Sequence, residues 1–260
     1  PTAEMAELLS RTKVATLGAA DSMPDFVVRQ EISRAISYAR TNNWIPQDRL
    51  TLAVSYRAMG GEEYKLLAVN GIPTATDPDG KLSYADKVGG TTSSGEYVTM
   101  LAEIFQDYSK TDFKPVDTDT LRGRPTIVYE YAVKRDNSRQ QLTAKGIIND
   151  STIAGYVGKM WVDRETNRVL RIEETANEIP AGFPITAASS TIDYDWVTIA
   201  EKKSLLPIRA EIRLTIEGKD RQKFESRNVI RFRDYQKYGT EVKIIEDVEP
   251  DDDAAPPKKP

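Results

Sequence analysis

Along most of this chain, apolar residues return at every second position. In AGYVGKMWVDRETNRVLRIEE, residues 154–174, Tyr156, Met160 and Val162 share one side of a first segment, and Leu170 and Ile172 share one side of a second. Successive side chains of a strand point to opposite faces, so this spacing predicts two half-buried antiparallel strands joined by a polar turn. The same period recurs elsewhere. Phe26, Val28, Ile32, Ile36 and Tyr38 alternate with Arg29, Glu31 and Ser33. Leu50, Leu52, Val54 and Tyr56 precede a hairpin turn at Gly60-Gly61. Ile127, Tyr129, Tyr131 and Val133 follow a turn at Gly123, with QQLTAKGII as their expected partner strand. Ile192, Tyr194 and Trp196 alternate with Asp193 and Asp195. Ile208, Ala210, Ile212 and Leu214 alternate with Arg209, Glu211 and Arg213, and Phe224, Ile230 and Phe232 with Arg227, Arg231 and Arg233.

Two segments break this period. Met5, Leu8, Leu9 and Thr12 fall on one side at helical spacing, predicting a helix over 3–17 closed near Gly18. Ser93 and Glu96 have capping-box spacing ahead of Tyr97, Leu101, Ile104, Phe105 and Tyr108, which line one helical face. The Gly-, Pro- and Asp-rich stretch 70–96 reads as a loop. About ten or eleven strands with short connections and two helices predict a mainly β (α+β) domain. A sheet of that size must curl, so residues 1–246 are expected to form one domain, a large curved antiparallel sheet or unclosed barrel with the helices covering its concave face. Residues 247–260 are acidic and proline-rich and are expected to be disordered or docked on a partner.

Composition then narrows the chemistry. The chain has no cysteine and no histidine, which removes disulfides, thiolate and Ser-His-Asp catalysis, and every Cys- or His-ligated metal site. A net charge of -4 gives no reason to expect nucleic acid as a partner. No apolar run reaches the length of a membrane-spanning helix. The chain starts at Pro1, so a processed form is expected, with any signal segment out of view. Asp77, Asp79, Gly80 and Asp86 match positions 3, 5, 6 and 12 of a calcium loop, but position 1 is Ala75, which has no side-chain oxygen. The stretch is read as a turn, with no metal site and no cofactor. The arginines at 209, 213, 227, 231 and 233 are interleaved with Glu211 and Glu225, which favours cross-strand ion pairs over a clean anion-binding stripe. Asp193 and Asp195 lie two apart and are expected on a wet strand face, and no glycine-rich phosphate loop follows a strand. No enzyme activity is expected.

Two resemblances add to this. The order of a helix, long strands, a capped helix and a run of hairpins, together with MWVDRETNRVLRIEE, resembles the bacterial periplasmic lipoprotein carriers of the LolA/LolB/LppX type. That resemblance implies an unclosed β-barrel with helices over an apolar concave face. It also implies an arginine within the barrel, to which no position of this sequence is matched. EEYKLLAVNGIP, SSGEYVTMLAEIF, LRGRPTIVYEYAV, STIDYDWVTI, LLPIRAEIRL and RNVIRFRDYQKYG look like segments of secreted acidobacterial-type proteins of uncharacterised activity, and span most of residues 62–239.

These readings converge on an extracytoplasmic, non-catalytic binding protein that holds a lipid, acyl chain or other apolar molecule between sheet and helices. The expected lining is Leu52, Tyr56, Leu101, Phe105, Tyr129, Tyr131, Tyr156, Met160, Leu170, Ile172, Tyr194, Trp196, Ile212 and Phe232. The alternative is a structural or accessory subunit of a cell-envelope assembly, acting through contacts with other envelope proteins. A hollow interior would mark the first and a filled one the second. Sequence fixes neither the ligand nor the oligomeric state.

Overall fold

In the computed structural model, residues 3–38, 41–74, 83–93, 97–144, 150–218 and 222–239 are described. Helix α1 (Ala3–Asp21) leads into β1 (Phe26–Tyr38), β2 (Ile45–Arg57), β3 (Gly61–Val69) and the short β4 (Ile72–Pro73). After α2 (Tyr84–Val88) and α3 (Val98–Phe105) come β5 (Asp112–Leu121), β6 (Arg124–Val133), β7 (Gln141–Ala144), β8 (Asp150–Ile153), β9 (Gly155–Asp163), β10 (Val169–Asn177), β11 (Ile185–Ile199), β12 (Lys202–Glu217) and β13 (Lys223–Lys237).

Eleven strands form one antiparallel sheet in the order β4-β3-β2-β1-β13-β12-β11-β10-β9-β6-β5, with β4 and β5 at its unjoined edges. Laid flat, such a sheet would be about 48 Å wide at the usual strand spacing. Instead, buried residues from β2 at one side and β6 at the other belong to one continuous core, so the sheet curls around it. α1 and α3 pack on each other and cover the curled face. The hairpin Arg122-Gly123 turn has both residues at positive φ, the geometry that matches strand twist. This is the open, helix-covered sheet that the strand periodicity implies.

Four local expectations are corrected. α1 runs past Gly18 to Asp21, because Gly18 keeps helical backbone and the Ser22 amide and hydroxyl both bond to its carbonyl. The described part of QQLTAKGII, residues 140–144, does not pair with β6. Its β7 portion pairs with β8 in a separate two-stranded sheet, and β6 is flanked by β5 and β9 instead. The stretch read as a loop holds α2, whose N-cap is Ser83: its hydroxyl accepts from the Asp86 amide. The Ser93–Glu96 capping box falls partly outside the described residues, and α3 begins after Tyr97 with no side-chain cap. The Asp77–Gly80 part of the calcium-like stretch and the tail 247–260 also lie outside the described residues.

Candidate functional site

The fourteen expected lining residues do come together. Twelve are buried in a single core cluster, and Trp196 and Ile212 pack against it half-buried. Each strand contributes by alternation: Tyr129 and Tyr131 from β6 face Met160 and Gly158 of β9, and Ile172 of β10 stands beside Met160. Leu101 and Phe105 of α3 close over them, with Phe105 stacked on Phe113 at 5.4 Å. Tyr194 and Phe26 are fully buried, and Phe26 stacks on Tyr56 at 5.3 Å. The core is filled by these side chains and by the two helices.

The cover is unevenly apolar. α1 buries Leu8, Thr12 and Thr16, with Met5, Leu9, Leu17 and Ala20 partly buried. The Thr12 hydroxyl donates back to the Leu8 carbonyl at 2.8 Å, but the buried Thr16 hydroxyl has no partner among the described residues. Much of the attachment of α1 is polar and peripheral. The Tyr129 hydroxyl donates to the Met5 carbonyl at 2.7 Å, Arg164 pairs with Glu4, and Lys13 pairs with Asp107 at 2.7 Å. Burial, with a smaller contribution from Glu4, pushes the Tyr129 hydroxyl up to about 12, so it remains a donor.

Four polar side chains stand on the covered face among the apolar ones, and none was singled out from the sequence. Gln30 donates to the Tyr97 hydroxyl at 3.0 Å. Arg34, 5 % exposed, makes two 2.6 Å bonds to Asp48 and donates to the carbonyls of Val88, Gly89 and Thr91. Asn228, opposite Arg34 in register, also donates to the Thr91 carbonyl. Together they clamp the chain after α2 onto β1 and β13. Arg34 is thus an arginine inside the open barrel, with its donors engaged by protein groups.

Glu174 of β10 is the fourth. Its carboxylate is bonded by the Gln140 side-chain amide and lies 3.4 Å from the Tyr131 hydroxyl. Burial raises its pKa to about 7, with Glu103 adding to the rise and the bonds from Gln140 and Tyr131 opposing it. Tyr131 and Tyr156 are both pushed up, chiefly by burial and next by the Glu174 charge. A signal for all four polar residues was present: Gln30 and Arg34 are in phase with Phe26, Val28 and Ile32, Asn228 with Ile230 and Phe232, and Glu174 with Leu170 and Ile172.

The opposite face carries the ion pairs that interleaved charges imply. Glu211 bonds Arg213 at 2.7 Å and Arg227 at 3.0 Å, and burial of its carboxylate is outweighed by these two cations, which hold its pKa low. One expectation fails here. Asp193 is not wet: it is buried between Arg122 at 2.9 Å and Arg171 at 2.8 Å, and a bulge separates its register from that of Tyr194 and Asp195. Arg122, brought over from the β5–β6 turn, covers it. Among the described residues no group of three or more acidic side chains is placed to hold a metal ion, and no helix is long and apolar enough to cross a membrane.

No protein-family model matches the chain, and no curated protein does. Among solved structures, it is similar to a LolA-superfamily protein of Nitrosomonas europaea, at 11 % identity over 88 % of this chain and 94 % of that one, TM-score 0.33. It is also similar to a DUF1329-family protein of Desulfovibrio piger, at 10 % identity over 90 % and 95 %, TM-score 0.36. A third is a Vibrio parahaemolyticus domain named for outer-membrane lipoprotein sorting, at 11 % identity over 88 % and 92 %, TM-score 0.35. At these scores the architecture rests on the sheet itself.

Proposed function

We propose that the protein is a non-catalytic binder of an acyl chain or similar apolar molecule, held between the curved sheet and α1. The reading puts it outside the cytoplasm, at the cell envelope. The observation that carries it is the mismatch between the two surfaces. The sheet presents aromatic and aliphatic side chains at close to zero exposure, while the helix over them buries two threonines and leaves one hydroxyl unpaired. A purely structural cover gains about 25 cal/mol for each Å² of apolar surface it buries, so it favours apolar residues there. A helix that sacrifices part of that gain is easier to displace. On this reading α1 occupies the place of the ligand when the protein is empty and closed.

The test is uptake of a fluorescent fatty-acid probe. Wild type is expected to bind it saturably. Leu101→Arg, checked for a native circular-dichroism spectrum, is expected to lose binding, since α3 packs on α1 in the cover of the same face. Thr16→Val, which strengthens the closed state, is expected to bind more weakly. Unchanged binding by both folded variants contradicts the placement.

The filled core supports a second reading, in which the same domain is a solid subunit of an envelope assembly with β4 and β5 as its open edges. A stable complex with other envelope proteins and no ligand uptake would favour it.

A further inference from the structure

Near the C-terminal end of α1, a groove of about 270 Å³ opens between the helix, the β9–β10 turn and the β11–β12 hairpin. Its apolar part is Met23, Leu205 and Trp196. Its charged part is Arg168, Lys202 and Lys203, and among the described residues no aspartate or glutamate lines it. The size is just below the ~300–1,000 Å³ of small-molecule sites, which suits a headgroup and its first carbons more than a whole lipid.

Arg168 is half-buried, with its guanidinium 5.4 Å from the centre of the Trp196 ring. Among the described residues no carboxylate, carbonyl or hydroxyl bonds to it, and burial alone pushes its pKa down. Outer-face arginines behave differently. Arg122 and Arg171 pair with Asp193, and Arg213 and Arg227 pair with Glu211. A partly desolvated cation without a counter-charge is costly, and a cation–π contact offsets only part of that cost. Lys203, exposed at the rim, is likewise unpaired among the described residues. Lys202 donates to the Ser22 carbonyl at 2.5 Å, which ties the end of α1 to the hairpin and leaves the ammonium two further donors.

We infer that this groove binds an anionic group, a phosphate or carboxylate, with Arg168 and Lys203 holding the charge and Trp196, Met23 and Leu205 receiving an attached alkyl chain. The guanidinium fork suits two oxygens of either group, and the apolar floor suits an amphiphile. The site needs no displacement of α1, so it stands or falls separately from binding in the interior.

Calorimetric titration with octyl phosphate, inorganic phosphate and octyl glucoside tests it, with Trp196→Phe identifying the tryptophan whose fluorescence responds. Octyl phosphate is expected to bind, more weakly as salt is raised. Octyl glucoside, with the same chain and no charge, is expected to bind at least about tenfold less well. Lys203→Glu, at an exposed position that leaves folding intact, and Arg168→Gln are each expected to weaken octyl phosphate by about tenfold or more. Inorganic phosphate binding as tightly as octyl phosphate would assign the site to a free anion; weaker binding would assign it to a lipid headgroup. Absence of binding by both phosphates, equal binding of octyl glucoside, or affinities unmoved by both substitutions overturns the inference.

Discussion

Tyr131 lies across Gly158 and brings its hydroxyl to 3.4 Å from the carboxylate of Glu174, two strands away in the same register row. The arrangement depends on the glycine. A Cβ at Gly158 would overlap the Glu173 carbonyl oxygen and stand 2.6 Å from the Tyr131 hydroxyl oxygen. Gly158→Ala is therefore expected to destabilise the fold by about 2 kcal/mol or more, the range of overpacked cores. Urea unfolding of wild type and variant checks this, and equal midpoints would contradict the close approach.

Glu174 makes stability depend on pH in a defined direction. Its pKa is about 7 in the folded chain against 4.5 for an ordinary glutamate. Below about 4.5 it is protonated in both states and contributes no difference. Between those values only the unfolded chain gains by ionising, so stability falls as pH rises. Above about 7 the penalty is constant, on the order of 3 kcal/mol. The groups around it are Gln140, Tyr131, Tyr156 and Glu103, none of which is a cation. Glu174→Gln is expected to flatten the stability–pH curve over this window. An unchanged slope in thermal melts from pH 4.5 to 7.5 would show that the carboxylate finds solvent.

Arg34→Met should leave Asp48 without its partner and release the carbonyls of residues 88–91. Breaking a buried pair by removing one member costs about 3 kcal/mol. Hydrogen–deuterium exchange is expected to rise first in residues 88–93, which Arg34, Asn228 and Ser226 hold down. A uniform increase throughout the sheet would contradict a local clamp.

Thr16→Val removes a buried hydroxyl that has no partner among the described residues and keeps the volume. It is expected to stabilise the protein by about 1 kcal/mol, within the usual cost of an unsatisfied buried group. A fall in melting temperature would mean that the hydroxyl is satisfied in solution.

The proposed displacement of α1 has its own readout. The chain lacks cysteine, so spin labels at exposed Val14 and Met59, introduced as cysteines, report one distance without background labelling. Adding an acyl ligand is expected to broaden and shift that distance. A sharp, unchanged distance with ligand bound would place the ligand elsewhere.

The open sheet was legible in the sequence because period-two alternation marks a strand's buried side independently of its partner. Tyr129, Met160 and Ile172 fall where that pattern puts them. Strand pairing was less legible: β7 carries the right alternation, but its partner is set by the short connection to β8. The interior polar groups were overlooked because a glutamine or arginine within an apolar run reads as an interruption, although its phase marks it as inward-facing. Asp193 was misjudged because its burial comes from Arg122, a residue 71 positions away in the chain. The groove around Arg168 has no sequence signal at all, since it exists only where α1 meets two turns.

The most direct test of the central claim is native mass spectrometry of the protein purified from its own source cells. The account predicts a fraction carrying extra mass that organic solvent releases as lipid, absent from a mock preparation and reduced in Leu101→Arg. A protein of bare mass, recovered only in complex with other envelope proteins, would contradict it and leave the covered face of the sheet as core alone.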